Sequence, residues 1–542
     1  MGFKLWTNSG RKLHQAVPAL ADQFVKGEIG RRDFLQTVAW LGVAAASARA
    51  FAGAVSPVPA AAQEAPKKGG SLRYASAVME INDPMLVTWT QASNVFRNSL
   101  EYLTMVDEDN ITQPLLAASW DPSADLTSWR FKLRPGVKWS NGDAFTTEDV
   151  AFNINRWIAP TSKSSNKSAF SAIKQVEVHS DLEFSLHLSR PVLAIPEMFY
   201  AYTCPIVHRK FEEQGGVWSK NPIGTGPYTM VEFGVGQKAT FRRREGYWGP
   251  APYLDEIRYL DLGTEVSASI QALAAGQVDL ITAINTTDID VVKRLPNATL
   301  LSGRAAQTIC IRMQVDQKPF DDIRVRKAMV LAADNQKLLD IGYRGLGVVA
   351  ENHHVAPFQP EYFKLPPVAR DVAKAKALLA EAGYKDGLDV TLVLGNTQGR
   401  WEQDTAQVLQ QQVAEAGIRM KLNVLPSSEF WPIWDKVPFG LTFWAHRPLA
   451  VMTLDLAYRG GGSWNESHYK NPEFDTALNK ATGIVDPKQR AVAMEAVERI
   501  LQDDAVMVQP YWGDRYGAAS TKVRGFRLHP STYQSLRQTW LA

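Results

Sequence analysis

The residues of this chain best suited to chemistry lie in Leu441-Thr442-Phe443-Trp444-Ala445-His446-Arg447-Pro448, where an indole, an imidazole and a guanidinium fall close together. The planar fork of an arginine can grip a carboxylate or a phosphate through two parallel hydrogen bonds. A large flat ring beside it can enclose a ligand at little entropic cost. Arg447, His446 and Trp444 therefore form a candidate binding group. The plain alternative is a surface arginine paired with a local acid. Two other stretches carry similar side chains. The loop Gly395 to Arg400 leads into Trp401, and Gly460-Gly461-Gly462-Ser463 lets the backbone bend sharply before Trp464 and Asn465. With 16 tryptophans in the chain, most must be core. Trp444, Trp464 and Trp401 are the pocket candidates, with Arg400, Asn465 and Trp89 beside them.

Catalytic spacings are missing. The nucleophile elbow G-x-S-x-G, the zinc motif H-E-x-x-H and the P-loop do not occur. Asp321-Asp322 and Asp503-Asp504 fall at predicted helix ends, where capping and solvent account for them. His353-His354 is a vicinal pair in a Pro-flanked loop; its side chains diverge, and no neighbouring Cys, Asp or Glu gives metal spacing. Cys204 and Cys310 also lack metal spacing, and a disulfide and a pair of buried thiols are both open to them. Gly224-Thr225-Gly226 is not followed by Lys-Ser/Thr or by a helix, so it reads as a tight chain crossing rather than a phosphate cradle. The balance favours binding over catalysis, with no cofactor and no metal.

The elements around these residues are legible. Val390 to Leu394 is an apolar strand, Trp401 to Ala416 a helix ended by Gly417, and Met420 to Val424 a second strand. This βαβ unit implies a parallel pair with a right-handed crossover, and ligands sit beyond the carboxyl ends of such strands. That places the Gly395 to Arg400 loop at a binding edge. Elsewhere Ser71 to Ala77 and Glu183 to Leu188 read as strands, Glu265 to Ala275 as a helix and Val278 to Ile281 as a short strand. Trp89 to Asn94 is a polar-aromatic loop entering a helix. Thr146 and Asp149 have capping-box spacing, and Asp321 is placed to cap a helix carrying Val325, Ala328, Met329 and Ala332 on one face.

Composition bounds the rest. The chain has 542 residues, 45% hydrophobic and 21% charged, with material for several cores. Its formal charge is +3, but the first 62 residues hold 7 basic and 3 acidic side chains, which leaves 52 basic against 53 acidic beyond them. The basicity belongs to the leader, and no nucleic-acid footprint is present. Arg31-Arg32-Asp33-Phe34-Leu35 precedes a short apolar run from Thr37 to Ala48, with Ala48-Arg49-Ala50 and Ala60-Ala61-Ala62 as alternative cleavage sites. The pattern is a secretory signal of the twin-arginine kind, read by the twin-arginine translocase. It implies a periplasmic protein, and no later apolar run is long enough to span a bilayer.

Three phrases then stand out: Asn221-Pro222-Ile223-Gly224-Thr225-Gly226-Pro227-Tyr228, the run from Tyr247 to Ile257 (Y-W-G-x-x-P-Y-L-D-E-I), and the run from Ala272 to Leu280 (A-L-A-A-G-Q-V-D-L). With the run from Leu133 to Val150 (L-R-P-G-V-K-W-S-N-G-D-A-F-T-T-E-D-V), they resemble the family 5 extracellular solute-binding proteins, the peptide- and nickel-type receptors of ABC importers. The resemblance covers nearly the whole chain beyond the leader. It implies an α/β periplasmic binding protein with two lobes, of the Venus-flytrap type II (cluster C) kind, and a subdomain inserted in the first lobe. On that reading residues 1–62 are leader, 63–106 with 218–300 and 515–542 are lobe 1, 107–217 the insertion and 301–514 lobe 2.

The resemblance implies a monomeric receptor that traps a small molecule or peptide by hinge closure. It would deliver that ligand to an ABC permease of two membrane subunits and two ATPases. Peptide-binding members commonly read W-x-x-D where this chain has Trp444 to Arg447, and the acid there holds the peptide's ammonium. Here the position is Arg447, a receptor for an anion. Oligopeptides are the family's ligand class, and the change points toward opines, modified amino acids, sugars or other anionic solutes. A metal-chelate receptor and an exported hydrolase that kept the receptor fold are the rivals.

Overall fold

The expected βαβ unit forms. Leu388–Leu394 and Ile418–Val424 pair in parallel, and helix Trp401–Ala414 crosses between them. The computed structural model describes residues 4–55, 64–88 and 90–542, so Trp89 and Ala60-Ala61-Ala62 lie outside the described residues.

Those two strands begin a mixed sheet that runs on through Phe439–Trp444, Ala298–Met313, Tyr511–Ser520, Leu280–Ile281, Ser71–Ala75, Glu256–Leu260, Lys238–Arg243 and Tyr228–Gly234. Ala298–Met313 and Tyr511–Ser520 are long antiparallel partners that belong to both halves of it. Their register shifts between Gly303 and Gln307. Before the shift Ala298–Met313 pairs only with Tyr511–Ser520, and beyond it its residues Thr308 to Met313 also pair with Phe439–Trp444. A register break of this kind bends and twists a strand locally.

A separate four-stranded sheet is formed by Ala117–Pro122, Ser128–Leu133, Glu183–Leu188 and Ile173–Ser180. Trp129, Trp139 and Trp157 are fully buried around it, and Phe131 stacks on Phe184 at 5.1 Å. These aromatics are local core. The capping box at Thr146 and Asp149 is present, and Asp149 also accepts the Trp139 indole N–H at 3.2 Å.

Gly224 and Gly226 do make a close crossing: a Cβ on either would meet the Ser99 carbonyl oxygen, at 2.1 Å and 2.6 Å. Two expectations are refined. The helix Ile323–Ala332 is capped by Asp322 rather than Asp321, its carboxylate accepting the Arg324 amide N–H at 2.8 Å. Cys204 and Cys310 are buried free thiols in different surroundings.

Residues 4–55, most of the expected leader, are largely helical. Helices Val17–Val25, Arg31–Trp40 and Ala45–Val55 pack on the body, with Phe24 stacked on Phe34 at 4.8 Å. The Trp40 indole donates to Glu197, and the Trp120 indole donates to the carbonyls of Ala39 and Trp40. Gln23 and Glu28 reach Asp486 and Lys488. The apolar run is thus buried, and Ala48-Arg49-Ala50 is helical, with Arg49 ion-paired to Asp107. Among the described residues no helix is long and apolar enough to cross a membrane.

Candidate functional site

The strand Phe439–Trp444 ends against Thr308, and the chain then turns through Ala445, His446 and Arg447 into helix Ala450–Ala457. The turn faces a cavity of about 150 Å³. One wall is built from Gln398, Trp431, Trp434, Trp444, Arg447 and Trp464; Thr88, Thr90, Gln91, Tyr202 and Tyr533 face it. Among the described residues no aspartate or glutamate lines this space.

Arg447 is 8% exposed. Its guanidinium lies 5.5 Å from the ring centres of both Trp444 and Trp464. Among the described residues it meets no carboxylate, and its only hydrogen bond is through its backbone carbonyl, which accepts from Gln359. Ring faces attract a cation but satisfy none of its five donors. A guanidinium is charged at physiological pH, so the cavity holds an unmatched positive charge.

His446 is also buried, and its Nδ1 accepts the Ala306 amide N–H at 2.8 Å. The neutral ring therefore carries its proton on Nε2, which has no partner among the described residues. Burial holds its pKa well below the ordinary histidine value, and the charges of Arg515 and Arg447 act in the same direction. The imidazole is a neutral donor at physiological pH.

A buried ion pair sets the aromatic wall. Arg312, fully buried, donates from Nε to Glu466 at 2.9 Å, and its terminal nitrogens donate to the carbonyls of Val437 and Trp434. Glu466 in turn accepts the Trp444 indole N–H at 2.8 Å and the Thr442 hydroxyl at 2.6 Å. Burial raises the Glu466 pKa, and Arg312 is the largest influence opposing it. Gly440 leaves the necessary room, since a Cβ there would come within 2.7 Å of Arg312. One pair thus positions Trp444 from one side and the Trp434 backbone from the other.

The loop before Trp401 is pinned by Glu402, whose carboxylate accepts the amides of Thr397 at 2.7 Å and Gln398 at 3.1 Å. Gln398, Gln91 and Phe443 are shared with a second, smaller space of about 60 Å³, which continues past Trp401 and Tyr343 to Arg515.

The sequence candidates separate accordingly. Trp444, His446, Arg447 and Trp464 meet around one cavity, and Trp401 lines its continuation, edge-on to Tyr343 at 4.8 Å. Arg400 does not line either: its side chain is 78% exposed and paired with Asp404. Asn465 is spent on its own loop, donating to the carbonyls of Arg459 and Tyr469. Trp89 lies outside the described residues. The histidine pair lies in its loop and is buried there, with His354 against Tyr458 and His353 against Glu351 and Glu498. Among the described residues no group of His, Cys, Asp and Glu is arranged to hold a metal. Sequence reading missed Trp431 and Trp434, although their i, i+3 spacing was visible, and missed Tyr202, Tyr533 and Arg515, which come from distant segments.

The model of the family described as "Bacterial extracellular solute-binding proteins, family 5 Middle" matches residues 112–462. The glutathione-binding protein GsiB of Pectobacterium atrosepticum is 26% identical over 470 residues, covering 83% of this chain and 90% of that protein. The oligopeptide-binding protein AppA of Bacillus subtilis is 25% identical over 513 residues, covering 88% and 92%. Among solved structures, AgaA of A. tumefaciens R10 with agropinic acid superposes with a TM-score of 0.79 at 23% identity, covering 87% of this chain and 99% of that one. DppA of Helicobacter pylori with the peptide STSA gives 0.78 at 22% identity, covering 88% and 98%. The α/β fold of two lobes is common to them.

Proposed function

Because this chain belongs to the bacterial extracellular solute-binding proteins of family 5, we propose that it is the periplasmic receptor of an ABC importer, holding a short peptide or related small solute by an anionic group on Arg447. The observation that carries the reading is the buried guanidinium between Trp444 and Trp464, unmatched in a cavity whose described walls hold no acid. An ammonium finds no counter-charge there, whereas a carboxylate or phosphate does. Relatives bind glutathione, oligopeptides and agropinic acid by their names, so the fold accommodates solutes of this size.

The cavity's two walls belong to different lobes if residues 63–106 with 218–300 and 515–542 form lobe 1, 107–217 the insertion and 301–514 lobe 2. A ligand touching both walls favours the closed state through its differential affinity. Scattering with and without ligand tests this: the radius of gyration falls on saturation, and an unchanged value rejects hinge closure. The protein binds without turnover, and the importer's ATP chemistry lies on its membrane partners. Native mass spectrometry of protein from its own periplasm tests the whole reading. One retained anionic solute per monomer is the expected result; conversion of that solute by the purified protein would instead identify a hydrolase.

Export follows the twin-arginine route in this reading, supported by Arg31-Arg32 before Phe34-Leu35. Replacing both arginines with lysine leaves uncleaved precursor in the cytoplasm. Normal periplasmic accumulation of that variant rejects the route.

A further inference from the structure

Arg447 is not alone. The smaller space that continues from the main cavity ends at Arg515, a second arginine only 6% exposed. Its terminal nitrogens donate to the carbonyls of His529 and Thr282, at 2.6 Å and 2.9 Å. Those bonds hold the fork in place but neutralise nothing. Among the described residues no carboxylate pairs with it, and burial lowers its pKa to about 10. Among the described residues no acid lines this space, whose polar side chains include Gln91, Asn94, Gln307, Tyr343, Gln398 and Tyr516.

Resting on the ligand-site reading above, we propose that the two arginines are the two ends of one receptor: the solute carries two anionic groups, one on Arg447 and one on Arg515. Three observations converge. The two spaces share Gln91, Gln398 and Phe443, so one molecule can occupy both. Both guanidiniums, together with His529 and Arg32, lower the pKa of the same imidazole, His446, behind its burial. Two buried like charges without acids raise each other's cost, and a single dianion relieves both.

The placement also serves closure. Arg447 follows the strand Phe439–Trp444, while Arg515 sits on the far side of the register shift, in the part of Tyr511–Ser520 that pairs with Gly303. A monoanion can be held by one wall in the open state. A dianion satisfies both arginines only when the two walls come together, so its second charge acts as the selector for the closed form. The ligand class is then a dicarboxylate, or a carboxylate with a phosphate, whose amine is absent or capped.

The test uses the full chain and straight-chain α,ω-dicarboxylates from malonate to suberate, each compared by calorimetry with the monocarboxylate of equal carbon number. At least one dicarboxylate should bind about 10- to 100-fold more tightly than its monocarboxylate, the effect of one charge-assisted contact. Arg515→Gln should abolish that preference, bringing the dicarboxylate to the affinity of its monocarboxylate, and Arg515→Lys should restore part of it. Arg447→Gln should weaken both kinds of probe. Wild-type binding in which no dicarboxylate exceeds its monocarboxylate overturns the two-anchor proposal, and needs no variant to fold. If that result comes with weakening by Arg447→Gln, the single-anion site still stands. If carboxylates bind but Arg447→Gln changes nothing, the site reading fails and the proposal with it. Failure of every probe to bind at millimolar concentration overturns the two-anchor proposal, while the retained periplasmic solute still decides the role of Arg447.

Discussion

Arg312 and Arg447 bring the same cation into the same aromatic wall, and their surroundings differ in one respect. Arg312 is fully buried and matched by Glu466, which also holds the Trp444 indole. Arg447 is nearly as buried, touches the Trp444 and Trp464 rings, and has no acid among the described residues. An acid left in that position could shed its charge by taking up a proton. An arginine has no such escape. Glu498 shows the acid's case: buried against Phe363 and near Glu351 and His353, it has its pKa pushed up to about 9, chiefly by burial. Among the described residues Arg326 and Arg490 are also buried without an ion pair, but they donate to backbone carbonyls, whereas the Arg447 guanidinium has no such acceptor and faces the cavity.

Removing each arginine separates the two roles. Arg312→Ala leaves Glu466 buried and unpaired and frees both aromatic supports, so it should cost about 3–5 kcal/mol of stability. Denaturant unfolding measures it, and a loss below about 1 kcal/mol would mean the pair is not what sets the wall. Arg447→Ala should act in reverse. Stability holds or rises slightly, while affinity for the natural solute falls by about two to three powers of ten. Arg447→Lys recovers part of that, because an ammonium keeps the charge and loses the fork. Wild-type affinity in Arg447→Ala would make Arg447 a structural residue and remove the distinction.

What could be read in advance follows from how far each feature depends on distant segments. The βαβ unit around Trp401, the strand Glu183–Leu188 and the capping box at Thr146 are encoded within short windows by periodicity and caps, and they appear as written. Trp444, His446 and Arg447 were visible together because one turn carries them. Tyr202, Tyr533 and Arg515 were not, since nothing local distinguishes a cleft residue from a strand or core residue until segments hundreds of positions apart meet. Arg400 and Asn465 err in the opposite direction. Each adjoins a tryptophan of the site in sequence, and adjacent residues point different ways, so Trp401 and Trp464 reach the cleft while their neighbours do not. The apolar run near the N-terminus was legible as a signal-like pattern, but its packing against Glu197 and Trp120 depends on residues far along the chain.

The buried acids extend the comparison to pH. Glu498 ordinarily titrates near 4.5 and in the fold near 9. Between those values the folded chain holds a proton that the unfolded chain has released. Its contribution is therefore fully present below the lower value and is lost as pH rises toward the upper, by up to about 1.4 kcal/mol per pH unit. Glu197, raised to about 8 by burial, acts in the same direction. His354 and His529, lowered to about 3, affect only the range below 6.5. The melting temperature should thus decline from pH 6.5 to 9, and Glu498→Gln should decline less. An identical slope in the variant would mean that Glu498 is ionised in the fold.

The smallest effect belongs to Arg400, which completes the series as an arginine both paired and solvated. Its side chain is 78% exposed, and Asp404, one helical turn on, lies 3.3 Å away. Water already satisfies both charges, so the pair gains little by meeting and loses side-chain entropy in doing so. Exposed pairs at this spacing contribute about 0.3–0.5 kcal/mol. Arg400→Ala should therefore change stability by no more than that and leave ligand affinity unaltered, in contrast to Arg447→Ala measured under the same conditions. The loop's shape is held by Glu402 on the amides of Thr397 and Gln398, not by Arg400. A fall in affinity of tenfold or more would bring Arg400 into the site on closure, and would make the buried, unmatched arginines only part of what the anionic ligand meets.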